Sequence, residues 1–390
     1  METMNFKKVK KILVIKLRHI GDVLLTVPVF RALRENFPDA YIAALVNSGT
    51  EDVLSGNPLI DEIFIFDRNI KKMNPAMRCI KELSFLKQIR MKGFDMTVDL
   101  TSGDRAAMVS FASGARYRLA YSSKSGILGK RYLYTHLSKK QSGQHMVLQN
   151  LEIVRQFGID TEHKQLSFFI PDDAKMFVRK VFEENNINPP LPPFNCLLTK
   201  EGYRGVKDRQ RGYTVHVHPT SRWLFKCWKD EYMAEIIRWL LDNRVTVIIT
   251  SSPDRNEMEK AKRILSLIPS HITHYTSHMI DLCGKTTIKQ LAAISEASVL
   301  FLGVDSAPMH IAAAVGTPVI ALFGAGVKNW RPWCERHVVL FKEAVSEKEI
   351  KRKDYVSRNL LQITPDDVIR EVQQFLPGKN LLLKLIGRSD

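Results

Sequence analysis

The run Phe301-Leu-Gly-Val-Asp-Ser-Ala-Pro-Met-His-Ile-Ala-Ala-Ala-Val-Gly-Thr-Pro-Val-Ile-Ala-Leu-Phe-Gly324 reads as strand, turn, buried helix and second strand. Val299 to Val304 is a short apolar β-type stretch. Asp305 or Ser306 can cap the helix that follows, and Pro308 suits its first turn, where a missing N–H costs nothing. Met309 to Val315 is apolar almost all round, which predicts a buried helix. Gly316 stops it, and Thr317-Pro318 leads into Val319 to Phe323. The turn of such a unit presents backbone N–H groups and the positive end of a helix, where an anion can sit. Taken alone, Asp305 reads as a plain helix cap and His310 as a satisfied core histidine; the other loops shift that reading.

The same grammar recurs outward from this unit. Lys11 to Lys16 is a continuous apolar strand of the kind buried on both faces of a parallel sheet. Leu17-Arg-His-Ile-Gly-Asp22 follows, and then an amphipathic helix striped by Val23, Val27, Phe30, Leu33 and Phe37. Tyr41 to Val46, the end of Pro58 to Phe66, and Asp95 to Leu100 read as further strands, with a basic helix from Met73 to Lys92. A second set runs from Tyr213 to His218, through a helix at Asp230 to Asp242 and a strand at Val245 to Thr250, to the opening run. Strands alternating with helices predict an α/β fold with doubly wound parallel sheets. No G-x-G-x-x-G follows the first strand, which argues against a dinucleotide dehydrogenase. Asn188-Pro-Pro-Leu-Pro-Pro193 cannot continue a helix. The expected division is a first domain over 1–187, a Pro-rich linker and basic insertion over 188–212, a second domain over 213–362, and a helix with basic tail over 363–390.

The chain has 390 residues, 45% of them apolar and 25% charged, with a net charge of +17. That composition is globular, and the positive balance favours an anionic partner. No apolar run reaches the ~18 residues of a spanning helix. Ile12 to Ile15 is too short for a signal-peptide core, so the chain is expected in the cytoplasm. The five cysteines are scattered without C-x-x-C, as free thiols in a reducing compartment are, and no zinc spacing is present.

Several loops carry chemistry. Asp22 either complements a helix dipole or stands as a carboxylate at the mouth of the first βα loop, able to take a proton from a hydroxyl. In the second half, Thr220 and Ser221 offer donors, Lys226 a positive charge, and Glu257 an acceptor for ribose hydroxyls. With Asp305 to Met309 these make three loops at one sheet edge, the pattern of a nucleotide diphosphate site. The stretch Thr101 to Lys140 holds Arg105, Arg116, Arg118, Lys124, Lys130 and Arg131, which are either solvated surface charge or a groove for a polyanion. His145, opening a helix, reads as structural.

These residues resemble the bacterial lipopolysaccharide heptosyltransferases, glycosyltransferase family 9. The matching stretches are Ile12-Leu-Val-Ile-Lys-Leu-Arg-His-Ile-Gly-Asp22, His218-Pro-Thr-Ser-Arg-Trp-Leu-Phe-Lys-Cys-Trp228, Thr250-Ser-Ser-Pro-Asp-Arg-Asn-Glu257 and Gly303-Val-Asp-Ser-Ala-Pro-Met-His-Ile-Ala-Ala313. They span most of the chain in order, and His218 to Trp228 is most similar to the heptosyltransferase III branch.

The resemblance implies a GT-B architecture, two Rossmann-like domains facing across a cleft. It implies inverting, metal-independent transfer of heptose from ADP-L-glycero-D-manno-heptose to the inner core of lipopolysaccharide, with no cofactor beyond that donor substrate. Asp22 matches the general base and Lys226 the lysine beside the donor phosphates. Asp305, Ser306, Ala307, Met309 and His310 match the loop and helix start that hold the diphosphate; Thr220 and Ser221 join them, and Glu257, next to Glu259, matches the ribose ligand. Arg18, Arg105 and Arg118 are expected to bind phosphates and Kdo carboxylates of the acceptor, on an enzyme peripheral to the anionic inner face of the cytoplasmic membrane of a Gram-negative cell. Nucleic acid is not an expected partner. Another nucleotide sugar, or a non-catalytic sugar-nucleotide-binding role, is the alternative. The insertion 194–211 and the tail after Pro377 have no place in the family pattern.

Overall fold

Both halves of the chain build a parallel sheet, and the strand order is the same in each. The computed structural model describes residues 6, 8–122, 126, 129–139, 141, 143–187, 213–269, 271–272, 275, 277–343 and 352–376. The chain separates into two units, Met1–Phe169 and Ile170–Asp390.

The first unit contains β1 (Lys11–Lys16), α1 (Ile20–Leu24), α2 (Val27–Asn36), β2 (Tyr41–Asn47), β3 (Glu62–Phe66), α3 (Pro75–Lys92), β4 (Met96–Asp99), α4 (Asp104–Ala112), β5 (Tyr117–Tyr121), β6 (His136–Ser138) and α5 (Met146–Arg155). Its six strands lie in the order β3-β2-β1-β4-β5-β6, every pairing parallel. Ile12 to Ile15 are buried, which accounts for a strand with no polar face. The chain winds outward from β1 to β3, returns, and winds the other way from β4, so the switch point lies between β1 and β4.

The second unit contains α6 (Asp172–Glu184), β7 (Thr214–His218), α7 (Asp230–Asp242), β8 (Thr246–Ser251), α8 (Arg255–Ser266), β9 (Met279–Cys283), α9 (Ile288–Glu296), β10 (Leu300–Val304), α10 (Ala307–Ala314), β11 (Val319–Leu322), α11 (Val327–Trp330), β12 (His337–Leu340), α12 (Arg352–Leu361) and α13 (Pro365–Phe375). The sheet order β12-β11-β10-β7-β8-β9 repeats the first unit's topology, with its switch point between β7 and β10. Apolar residues of β7, β8 and β10 pack with α7 and α13 in one core that includes Trp228.

The predicted elements needed correction in four places. The helix expected to run from Asp22 through Phe37 is two helices, α1 and α2. Pro28 lacks the N–H needed to extend the first, and sits instead in the opening turn of the second. The polar stretch 101–140 conceals α4, β5 and β6, because its surface charges mask the short apolar period. The chain divides after Phe169, before the Pro-rich stretch, and α6 packs against α9 in the second unit. Finally, the C-terminal helix is present as predicted, but Val368, Val372 and Leu376 enter the second unit's core, so α13 is part of that unit rather than a separate segment. Residues 188–212 and 377–390 lie outside the described residues.

Candidate functional site

In the second unit the loops after β7, β8 and β10 meet at the carboxyl ends of adjacent strands, as the sequence predicted. The loop after β7 closes into a 3₁₀ turn, Leu224–Lys226. Lys226 Nζ donates to Asp305 Oδ2 at 2.5 Å, joining the loops on either side of the switch point. Burial pushes the Asp305 carboxyl upward in pKa, and the Lys226 ammonium opposes that shift.

Asp305 leads into α10, whose N-cap is Ser306. The Ser306 side chain makes no capping bond, and its buried Oγ has no hydrogen-bond partner among the described residues. Helix geometry leaves the N–H groups of Ser306, Ala307 and Met309 without an intrahelical acceptor, while Pro308 has none to offer. An uncapped helix start beside a lysine has the positive charge and the open donors that suit an anion. The side chains of Met309 and His310 are buried. Met309 packs with Phe301 and Phe323, so only its backbone can serve a ligand.

Thr220 and Glu257 are brought together: Thr220 Oγ1 donates to Glu257 Oε2 at 2.8 Å. Ser252 Oγ donates to the other carboxylate oxygen at 2.6 Å. Each carboxylate oxygen keeps a second lone pair for a further donor. Glu259 is paired with Arg255 at 2.9 Å, so of the two glutamates it is Glu257 that meets Thr220 at this edge. Asp254 caps α8 and fixes its first turn. Ser221 is buried beside Thr220 and accepts from the Trp223 N–H at 3.4 Å.

Behind these groups runs a network that sequence reasoning missed. Thr250 Oγ1 lies 2.7 Å from His216 Nε2 and 2.8 Å from His218 Nδ1. His216 Nδ1 reaches Ser295 Oγ at 2.8 Å, and His218 Nε2 lies 3.5 Å from Thr220 Oγ1. Burial holds both imidazoles neutral, His218 at about 3 and His216 well below its ordinary value. The signal was the alternation Thr-Val-His-Val-His in β7, which puts both histidines on one face of the sheet.

The Lys226 turn is anchored from below. Trp228 Nε1 donates to the carbonyls of Leu360 at 3.2 Å and Ile363 at 3.1 Å, and Ser357 Oγ donates to the Phe225 carbonyl at 3.1 Å. Helix α12 thereby sets the height of the lysine over the sheet.

In the first unit, Asp22 lies half-buried in the first turn of α1. Lys16, missed in the sequence because it ends an apolar strand, is buried behind it. Its Nζ donates to the Leu100 carbonyl at 2.9 Å and to Asn150 Oδ1 at 3.1 Å. Burial lowers its pKa to about 8, against the upward pull of the Asp22 carboxylate. The loop after β4 is tied to the loop after β1: the Leu17 N–H donates to Thr101 Oγ1 at 2.8 Å, and Arg18 Nη2 to the Thr101 carbonyl at 3.3 Å. Asp99 Oδ1 accepts the N–H groups of Thr101 at 2.7 Å and Ser102 at 3.2 Å, and Tyr134 donates to its other oxygen. These bonds hold Ser102 at φ +59°, a conformation non-glycine residues seldom adopt.

These two loops bound a pocket of about 330 Å³ whose lining includes Arg18, Asn47, Arg68, Thr101, Asp104 and Arg105. Three guanidiniums and one carboxylate give it a positive bias suited to phosphate or carboxylate. Asp22 is not among its lining residues. Arg105 is shared with Glu82 at 3.1 Å. Arg118 is not brought to this pocket. It is the second residue of β5, near the amino end of the strands, and its guanidinium is spent on the carbonyls of Leu133 and Ala115, each at 2.7 Å. His145 caps α5 by accepting from the Val147 N–H at 3.2 Å, a structural role. Among the described residues no three His, Cys, Asp or Glu side chains converge to hold a metal, and no helix is long and apolar enough to cross a membrane.

The family profile described as glycosyltransferase family 9 (heptosyltransferase) matches residues 82–359. The chain is 30% identical to lipopolysaccharide heptosyltransferase 3 of Escherichia coli over 368 residues, covering 93% of this chain and 98% of that one. The fold is that of a glycosyltransferase family 9 protein from Veillonella parvula, at a TM-score of 0.75 and 19% identity over 96% of this chain and 98% of that one. It is also that of the E. coli ADP-heptose lps heptosyltransferase II, at a TM-score of 0.71 and 18% identity over 94% and 98% of the two chains. The chain belongs to glycosyltransferase family 9, the heptosyltransferases, and within it is similar to the heptosyltransferase 3 members.

Proposed function

We propose that this protein is a heptosyltransferase of lipopolysaccharide core biosynthesis, transferring heptose from ADP-L-glycero-D-manno-heptose with inversion and without a metal ion. The observation that carries the donor assignment is the uncapped start of α10 with Lys226 beside it, at the β7/β10 switch point. Membership of the family and the names of its relatives support the sugar and the acceptor.

In this reading the diphosphate takes the N–H groups at Ser306, Ala307 and Met309 and the Lys226 ammonium. Glu257 accepts from a ribose hydroxyl. Asp22 removes the proton from the acceptor hydroxyl, whose oxygen bonds to the anomeric carbon as the bond from that carbon to the diphosphate oxygen breaks. The leaving ADP carries the electron pair, and its growing charge is met by Lys226 and the helix start, fixed positive groups of the kind that stabilise a departing phosphate. Attack opposite the leaving group inverts the anomeric centre. The Arg18 pocket takes an anionic group of the lipid-borne core, at the cytoplasmic face of the inner membrane.

The test is transfer itself: purified protein, ADP-heptose and a heptose-containing truncated core, followed by mass spectrometry and by NMR of the new linkage. The expected product gains one heptose with release of ADP, has inverted anomeric configuration, and forms at an unchanged rate in EDTA. ADP binding without transfer to any core would remove the catalytic reading and leave a sugar-nucleotide-binding one. Failure to bind ADP would remove the donor site.

A further inference from the structure

We propose that the outward face of α3, continued by α4, is a docking surface for an anionic phospholipid bilayer. The inference rests on the acceptor being lipid-borne, as proposed above, and adds the face of the protein that meets the lipid.

The sequence of α3 is wrong for a helix whose only neighbour is its own sheet. Its inner side is satisfied by Ile89, which is buried, and by Phe85 and Leu86 packed against the first unit's core. Yet Ile80 is 61% exposed, Leu83 60% and Met91 76%, with Met77 also exposed. At 100° per residue these side chains fall on the side away from Ile89. Met108 and Phe111 of the adjoining α4 are exposed as well. The two helices are closely apposed at their ends: a Cβ on Gly114, just past α4, would sit 1.5 Å from Arg90 Nη1. Large apolar side chains gathered outside, rather than scattered singly, mark a contact surface.

Charge selects the occupant. Helix α3 carries Arg78, Lys81, Lys87, Arg90 and Lys92 against one acid, Glu82. Arg78 turns to Glu82 at 3.3 Å and Lys92 to Glu62 at 2.7 Å, and the Arg90 guanidinium lies against Gly114, which leaves Lys81 and Lys87 to set the outward field. A second copy of this face would bring like charges together. Anionic headgroups accept those cations while the apolar side chains reach below them, which is how a helix lies in a membrane interface. The surface is also joined to the acceptor pocket: Glu82 accepts from Arg105, which lines it. A bilayer on α3 presents its anionic, lipid-borne substrate beside that pocket.

The experiment is flotation of the full chain with vesicles of phosphatidylcholine alone, or with about 30% phosphatidylglycerol added to supply the negative surface. Wild type is expected to float with the anionic vesicles and not with the neutral ones. The Ile80→Glu/Leu83→Glu variant, altered at exposed positions and checked for unchanged Tm, is expected to bind at least tenfold more weakly. It should transfer heptose to a water-soluble, deacylated core at the wild-type rate. Lys81→Glu/Lys87→Glu is expected to lose binding in the same way. Wild type that ignores anionic vesicles, or an Ile80→Glu/Leu83→Glu variant that binds as wild type does, would overturn the proposal. So would a wild-type dimer, seen by sedimentation, that this variant dissociates. Absence of transfer by wild type to the deacylated core would count against the enzymatic reading and not against this surface.

Discussion

Lys226 Nζ and Asp305 Oδ2 are 2.5 Å apart, a bond that spans the switch point of the second sheet from the loop after β7 to the loop after β10. The lysine is thereby held at the uncapped start of α10 before any phosphate arrives. In the proposed donor site, replacing it removes both a phosphate ligand and the counter-charge of a largely buried carboxylate. Lys226→Met is expected to weaken ADP binding and to lower kcat/KM for ADP-heptose by on the order of 10²–10³-fold, as loss of one preorganised charge does. Calorimetry with ADP and steady-state kinetics check it; a change confined to acceptor KM would contradict the assignment.

Asp22 and Lys16 form the corresponding pair in the first unit, coupled through charge rather than through a bond. Asp22→Ala is expected to abolish transfer while ADP affinity stays within about twofold, since the residue is assigned to proton removal. Asp22→Asn should also move Lys16. The carboxylate holds the lysine pKa up against burial, so its loss takes the pKa below about 8. Titration of the Lys16 ammonium by ¹⁵N NMR reads this directly.

Arg105 and Arg118 were both expected at the acceptor, and the structure separates them. Arg105 lines the pocket, whereas Arg118 holds two carbonyls near the amino end of the strands. Arg105→Glu should raise acceptor KM about tenfold or more, the cost of reversing one charged contact, and leave ADP affinity unchanged. Arg118→Ala should lower thermal stability with no selective effect on acceptor KM. Kinetics with donor and acceptor varied separately distinguish the two.

His216 and His218 set an acid limit on stability. Both fold with pKa values driven down by burial, so the unfolded chain binds the extra protons once pH falls below about 6.5. Stability is therefore full above that pH and declines below it, by up to about 1.4 kcal/mol per pH unit for each histidine. For His218 the decline ends near its folded value of about 3. Urea denaturation between pH 7 and 4 should show this slope, and His218→Asn should make it shallower.

Much of this was legible in the chain itself. Continuous apolar strands such as Lys11 to Lys16, alternating with helical stripes, dictate parallel sheets, because only a strand covered on both faces tolerates that composition. The opening run located the helix start with open donors, since Asp-Ser-Ala-Pro followed by an all-apolar helix fixes where those donors point. Thr220, Lys226, Glu257 and Asp305 were found because each follows a strand, and strand ends in such sheets share one edge. What the chain could not decide was which long-range partner each side chain meets. Glu257 and Glu259 are chemically alike, and only the packing of α8 turns one toward Thr220 and the other toward Arg255. Arg105 and Arg118 are both basic residues in one polar stretch, and the fold sends them to opposite ends of the strands. Lys16 looks like the end of a strand until Asn150, far along the chain, supplies its hydrogen bond. Periodicity is local and survives in sequence. Register, burial and partner choice arise when distant segments compete for the same space, and only the folded chain settles that competition.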